Sequence, residues 1–228
     1  MGIKNVIKLS LTDWDGKVAT VIFLGGCNFK CPYCQNWPLA INPDALKDTD
    51  YKEYIEFIKE SSDWLDGVVI TGGEPTCYRG LVDVIKDIKS HGLRVKMDTN
   101  GSNPDVLRDL IGKGLLDFVS MDVKNSIEKY SETADAPVNT DNILESISIL
   151  KEFGSYEFRT TVVPGLVEFE DLEKICNIIK GSNIYVLQRY HPENVVNKKF
   201  SEITPQSDEE MDEMTIYCSK HVPTKWRG

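Results

Sequence analysis

Short apolar runs alternate with longer amphipathic stretches along almost the whole chain, and that alternation leaves few folds open. Residues 18–24 (VATVIFL) are rich in β-branched side chains and read as a buried strand. Residues 6–11 precede it across a turn at 13–16 and fit an additional hairpin strand. Beyond a cysteine-rich loop, residues 51–61 carry Tyr54, Ile55 and Ile58 at helical spacing. Further strands are expected at 68–70, 93–97, 118–123, 156–163 and 184–188, and helices at 81–89, 104–111, 142–153, 172–179 and 207–219. About six strand–helix units in series imply a parallel sheet with helices outside it. A closed eightfold barrel usually takes about 250 residues, more than the 228 present. The expected fold class is α/β, a partial, laterally open (β/α)6 barrel.

No linker, repeat or shift in composition divides the chain. It reads as one domain over residues 1–228, with a core at about 17–190, an N-terminal strand and a C-terminal helical extension. The net charge of −10 argues against nucleic acid as a partner, since binding a phosphate backbone calls for a basic stripe. No apolar run approaches the roughly 20 residues that span a bilayer. Residues 1–10 lack the features of a signal peptide, so a cytoplasmic protein is expected. In that compartment cysteines crowded together read as metal ligands rather than disulfides.

Such crowding is present. Cys27, Cys31 and Cys34 share one glycine-led loop with C-x3-C-x2-C spacing, directly after the strand at 18–24. Four-iron clusters normally take four thiolates. Three would leave one iron open to an outside ligand, as catalytic zinc keeps an open position. A structural zinc would need a fourth Cys or His at regular spacing, and none is near. Other unusual residues also follow expected strands: 71–77, 98–101, 122–125, 164–165 and 189–192. Loops after strands form the active face of barrels and open α/β sheets.

The cysteine loop, with Tyr33 as its aromatic residue, resembles the signature of the radical S-adenosylmethionine (SAM) superfamily. Thr71, Gly72, Gly73, Glu74 and Pro75 resemble that family's GGE motif. Residues 97–101 (MDTNG), 122–124 (DVK) and 159–165 (RTTVVPG) are similar to the glycyl-radical-enzyme activating enzymes, the activases of pyruvate formate-lyase and anaerobic ribonucleotide reductase. Residues 188–194 (QRYHPEN) resemble the last strand end of that branch. The likeness runs from about residue 10 to residue 214. Departures are Trp14, Asp15 and Gly16, where the family often has a tyrosine-proline-glycine turn, and Cys77, where an aliphatic residue is frequent. Residues 35–66 hold no cysteine, so one cluster is expected.

The resemblance implies a [4Fe–4S] cluster on Cys27, Cys31 and Cys34, whose open iron holds SAM. Reductive cleavage would release a 5′-deoxyadenosyl radical that abstracts hydrogen. Gly72 and Gly73 would bring backbone close to the methionine ammonium, with Glu74 binding directly or fixing the loop. Tyr33 and Gln35 would line the adenine side. Asp98, Thr99 and Asn100 would reach the ribose or methionine, with Asp98 a candidate partner of a monovalent cation. Lys124 and Arg159 would pair with the cofactor carboxylate or grip a substrate backbone, and His191 would touch the cofactor. The other histidines are given no such part: His91 reads as a charge complement at a helix end. Cys77, Cys176 and Cys218 read as packing residues.

The expected substrate is a loop of a glycyl radical enzyme, with a flavodoxin or ferredoxin as electron donor. A short chain without an added substrate domain suits a large substrate that covers the site itself. The alternatives are a radical SAM enzyme acting on a small molecule such as a deazapurine precursor, and a non-catalytic iron–sulfur carrier. The GGE motif speaks against the carrier, which has no need of an ammonium-binding loop.

Overall fold

The computed structural model describes residues 2–228. Its strands follow sequence order through one open sheet: β1 (Ile3–Ser10), β2 (Ala19–Leu24), β3 (Gly67–Gly72), β4 (Arg94–Thr99), β5 (Phe118–Asp122), β6 (Tyr156–Val162), β7 (Tyr185–Arg189) and β8 (Thr224–Arg227). Among the described residues the α-helices are α1 (Trp37–Ile41), α2 (Tyr51–Ser61), α3 (Leu81–Ser90), α4 (Pro104–Gly112), α5 (Tyr130–Ala134), α6 (Thr140–Phe153), α7 (Phe169–Ile178), α8 (Lys198–Ser201) and α9 (Asp208–Ser219). The expected open α/β sheet is therefore what the chain forms. No helix among the described residues is long and apolar enough to cross a membrane.

The chain divides into two compact units. One takes the chain up to Asn28, Asn36–Thr99 and Asp105–Val119; the other takes Phe29–Gln35, Asn100–Pro104 and Ser120–Gly228.

In the first unit β2, β3 and β4 run parallel, with Val21 beside Val69 and Val69 beside Lys96. β2 and β3 are buried on both faces, as parallel strands under helices must be, which is why they read as unbroken apolar runs. β1 adds antiparallel to β2, the hairpin partner expected from residues 6–11. Trp14, from the turn between them, packs with Ala19, Val21 and Val69 and lies 6.2 Å from Phe118. Helix α2 starts where Asp50 accepts from the Lys52 N–H at 2.9 Å. His91 caps the end of α3 with its ring 3.7 Å from Asp87.

In the second unit β6, β7 and β8 run parallel. Helix α7 begins three residues before the expected 172, because Glu168 and Asp171 form a capping box. Ser207 and Glu210 cap α9 in the same way. Cys176 on α7 and Cys218 on α9 are buried, whereas Cys77 in the first unit is only half-buried. Four elements have no counterpart in the sequence reading: α1, α5, α8 and β8. Strand β8 is held by its pairing to β7, by Trp226 donating to Asp212 at 2.6 Å, and by Arg189 stacked 4.6 Å over the Trp226 ring.

Candidate functional site

No disulfide joins any of the six cysteines among the described residues. The boundary between the units falls inside the cysteine loop: Cys27 belongs to the first and Cys31 and Cys34 to the second.

In the first unit, the ends of β2, β3 and β4 carry the expected residues. Gly26 donates to the Leu39 carbonyl at 2.8 Å and Cys27 to the Ala40 carbonyl at 3.1 Å, so α1 fixes the backbone of the first cysteine. From β3, Gly73 N–H reaches the Leu24 carbonyl at 2.9 Å and Glu74 N–H the Gly26 carbonyl at 2.8 Å. Asn36 donates to the Gly72 carbonyl at 3.2 Å. The two glycines are sterically obligatory. A Cβ on Gly73 would lie 2.0 Å from the Gly26 carbonyl oxygen, and one on Gly72, which has φ +125°, would lie 2.3 Å from the Leu24 oxygen. The GGE segment thus presses its backbone onto the residues that lead into Cys27.

Glu74 is 1 % exposed. Its Oε1 accepts from Thr76 N at 3.1 Å, Thr76 Oγ1 at 2.6 Å and Thr99 Oγ1 at 2.7 Å. This carboxylate ties the end of β3 to the end of β4, the loop-fixing part open to it. Asp98 has Lys96 Nζ 3.6 Å from its Oδ1.

In the second unit, Asn100 makes a turn of the kind asparagine favours, accepting from the Ser102 N–H at 3.0 Å. Helix α6 holds that turn through Ser146, which donates to the Gly101 carbonyl at 2.7 Å, and Asn142, which donates to Ser102 at 3.0 Å. Residues 29–35 are tied down at three points. Lys30 donates to the Ala134 carbonyl on α5 at 2.9 Å, and Asn197 donates to the Pro32 carbonyl at 3.2 Å. Gln35 donates from Nε2 to the carbonyls of His191 (3.3 Å) and Glu193 (3.4 Å). Gln35 and His191 are thus brought together, but through the His191 backbone; its side chain is exposed.

Lys124, Arg159, Cys31 and Tyr33 also come together. Asp122, the last residue of β5, accepts from Arg159 Nε at 2.7 Å and from Lys124 Nζ at 3.0 Å. Burial opposes ionisation of Asp122, but Arg159 and Lys124 outweigh it and hold the carboxyl well below the usual range. Burial likewise opposes the charge on Lys124, while Asp122, Tyr33 and Cys31 hold the ammonium well above its ordinary pKa. Burial pushes the Cys31 thiol up, and Lys124 offsets part of that rise.

The sequence reading gave no part to Asp122, Gly26 or Asn36. Asp122 and Lys124 are two residues apart at a strand end, a spacing that puts both side chains on one face, and that was the available signal. Gly26 and Asn36 act through backbone partners distant in sequence, which no local pattern reveals.

Among the described residues no three Cys, His, Asp or Glu side chains are gathered as around a bound ion. The fit to a four-iron cluster rests on the donor set. Three thiols without a disulfide lie within one loop; in the first unit α1 and the GGE segment fix the backbone leading into Cys27, and in the second α5 fixes Lys30. Three thiolates are one fewer than such a cluster normally takes from protein.

Comparison with known proteins shows the family. The family model described as the radical SAM superfamily matches residues 21–179. A protein of Methanocaldococcus jannaschii, provisionally named a glycyl-radical enzyme activating enzyme, is 32 % identical over 227 residues, covering 96 % of this chain and 92 % of its own length. The 7-carboxy-7-deazaguanine synthase of Thermococcus kodakarensis is 24 % identical over 226 residues, covering 91 % and 88 %. Among solved structures, SuiB of Streptococcus suis bound to its precursor peptide superposes with a TM-score of 0.68 at 14 % identity, over 91 % of this chain and 48 % of that one.

Proposed function

This chain belongs to the radical SAM superfamily, whose enzymes use a [4Fe–4S] cluster and SAM, and from that premise we propose that it activates a glycyl radical enzyme. One observation carries the choice: the relative that matches at 32 % identity over nearly the full length of both chains bears that name. Cys27, Cys31 and Cys34 hold the cluster. When bound, cluster and SAM supply a 5′-deoxyadenosyl radical able to take the α-hydrogen of a glycine.

The side chains of the protein bind and orient. Gly72 and Gly73 present backbone to the methionine ammonium, and Glu74 holds that segment rigid through Thr76 and Thr99. Lys124, set beside Cys31 and Tyr33, pairs with the methionine carboxylate; Arg159 shares its anchor and steadies the same group or the substrate backbone. Tyr33 and Gln35 line the adenine side, with Gln35 fastening the segment that carries His191. Asp98, Thr99 and Asn100 reach the ribose or the methionine part. The substrate is a glycine-bearing loop of a large partner, and the electron comes from a flavodoxin or ferredoxin.

The likeness to 7-carboxy-7-deazaguanine synthase favours a second reading, a small deazapurine-type substrate. Electron paramagnetic resonance separates the two. Reduced, iron-loaded protein with SAM and candidate partner enzymes should raise a glycyl doublet on one partner. Turnover of a small substrate with no doublet on any partner would replace the first reading by the second.

A further inference from the structure

We propose that Cys176 and Cys218 are a thiol–disulfide modification site: under an oxidising thiol poise they join and staple α9 to α7. The site lies within the second unit and uses none of the cysteines of the cluster loop.

Packing explains why two thiols are buried. It does not explain why they meet, one on each of two helices. Both residues are 0 % exposed, and their side chains hydrogen-bond each other. The surroundings hold that meeting in place. Helix α7 lies against α9. Tyr217, next to Cys218, meets α7 twice: its ring centre is 5.7 Å from that of Phe169, and its side chain hydrogen-bonds Glu173, one turn before Cys176. From β7, Tyr185 is buried beside both sulfurs and is fixed by donating to Thr160 Oγ1 at 2.7 Å. The Cys218 carbonyl takes the His221 and Val222 N–H groups at 2.9 and 3.0 Å, which closes the end of α9.

The hydrogen bond from Cys218 holds the Cys176 thiol below its ordinary pKa against the effect of burial, which makes Cys176 the attacking sulfur. The co-reactant is a low-molecular-weight disulfide, admitted when α9 lifts from α7. The Cys176 thiolate attacks one of its sulfurs, the S–S bond breaks, and one small thiolate leaves. Cys218 then gives up its proton, attacks the Cys176 sulfur and expels the second small thiolate. Two protein thiols are oxidised to a disulfide, and the small disulfide is reduced to two thiols. The new bond closes the chain between Cys176 and Cys218 into a loop and so constrains the unfolded state, which makes the oxidised protein more resistant to heat. A reducing thiol pool restores the dithiol.

The test equilibrates iron-loaded, full-length protein with excess oxidised glutathione in the absence of air, alkylates the remaining thiols and maps the peptides by mass. The Cys176 and Cys218 peptides should be recovered joined to each other and carrying no glutathione. The thermal midpoint of the treated protein should rise by about 5 °C or more, and dithiothreitol should reverse both changes. Cys218→Ala, treated alike, should show no such rise. Recovery of both cysteines as alkylated thiols would overturn the inference. So would joined peptides without a rise in midpoint, or an equal rise in Cys218→Ala. The peptide map of wild type decides the matter even where that variant fails to fold.

Discussion

Gly73 shows how much of the site is decided by a single missing atom. Its α-hydrogen faces the Gly26 carbonyl, and a methyl there would sit 2.6 Å from the carbonyl carbon as well as 2.0 Å from the oxygen. Neither backbone can yield cheaply, because Glu74 and Gly73 both donate to the strand end that carries Gly26. Gly73→Ala should therefore cost about 1–3 kcal/mol of stability, the range for overpacking, and lower SAM affinity, as denaturant melts and calorimetry would show. The GGE segment was legible in the sequence as a motif close to a ligand. Its second part, as the floor of the cysteine loop, was not, because the partner lies 47 positions away and acts through a carbonyl that any residue possesses. The same holds for Glu74, whose tie to Thr99 bridges two strands.

At the level of elements, the long pieces were legible and the short ones were not. Helix α2 coincides with residues 51–61, where periodicity and the Asp50 cap agree. Helices α1 and α5 have five residues each, far below the length at which a helix holds on its own propensity. They exist because their last carbonyls receive N–H groups from the cysteine loop, a tertiary cause. Strand β8 (TKWR) has no alternation of its own and forms by pairing with β7.

The start of α7 yields a prediction. Asp171 accepts from Lys129 Nζ at 2.7 Å, Glu168 N–H at 3.0 Å and Ser126 Oγ at 3.3 Å. Burial opposes its charge, yet these donors hold its pKa below the ordinary value. A depressed carboxylate stabilises the fold above the unfolded-state pKa and loses that contribution as pH falls through the folded-state pKa. Asp171→Asn should thus be less stable than wild type by about 1–3 kcal/mol near neutrality. The difference in thermal midpoint should shrink as pH falls from about 7 to about 3. A pH-independent difference would show that the charge is not what matters there.

For the whole molecule, the open α/β sheet was readable because alternating strands and helices favour parallel pairing, and each strand here lies beside its successor in sequence. What could not be read was the division of the cysteine loop between two compact units, since nothing in its composition marks the boundary. The central claim is that three thiolates on this loop hold the cluster that cleaves SAM, and the most direct test is 5′-deoxyadenosine released by the dithionite-reduced, iron-loaded protein. Wild type should release it, and Cys31→Ala should release none above the cluster-free background. Undiminished release from Cys31→Ala, or none from wild type with its cluster intact, would contradict the account.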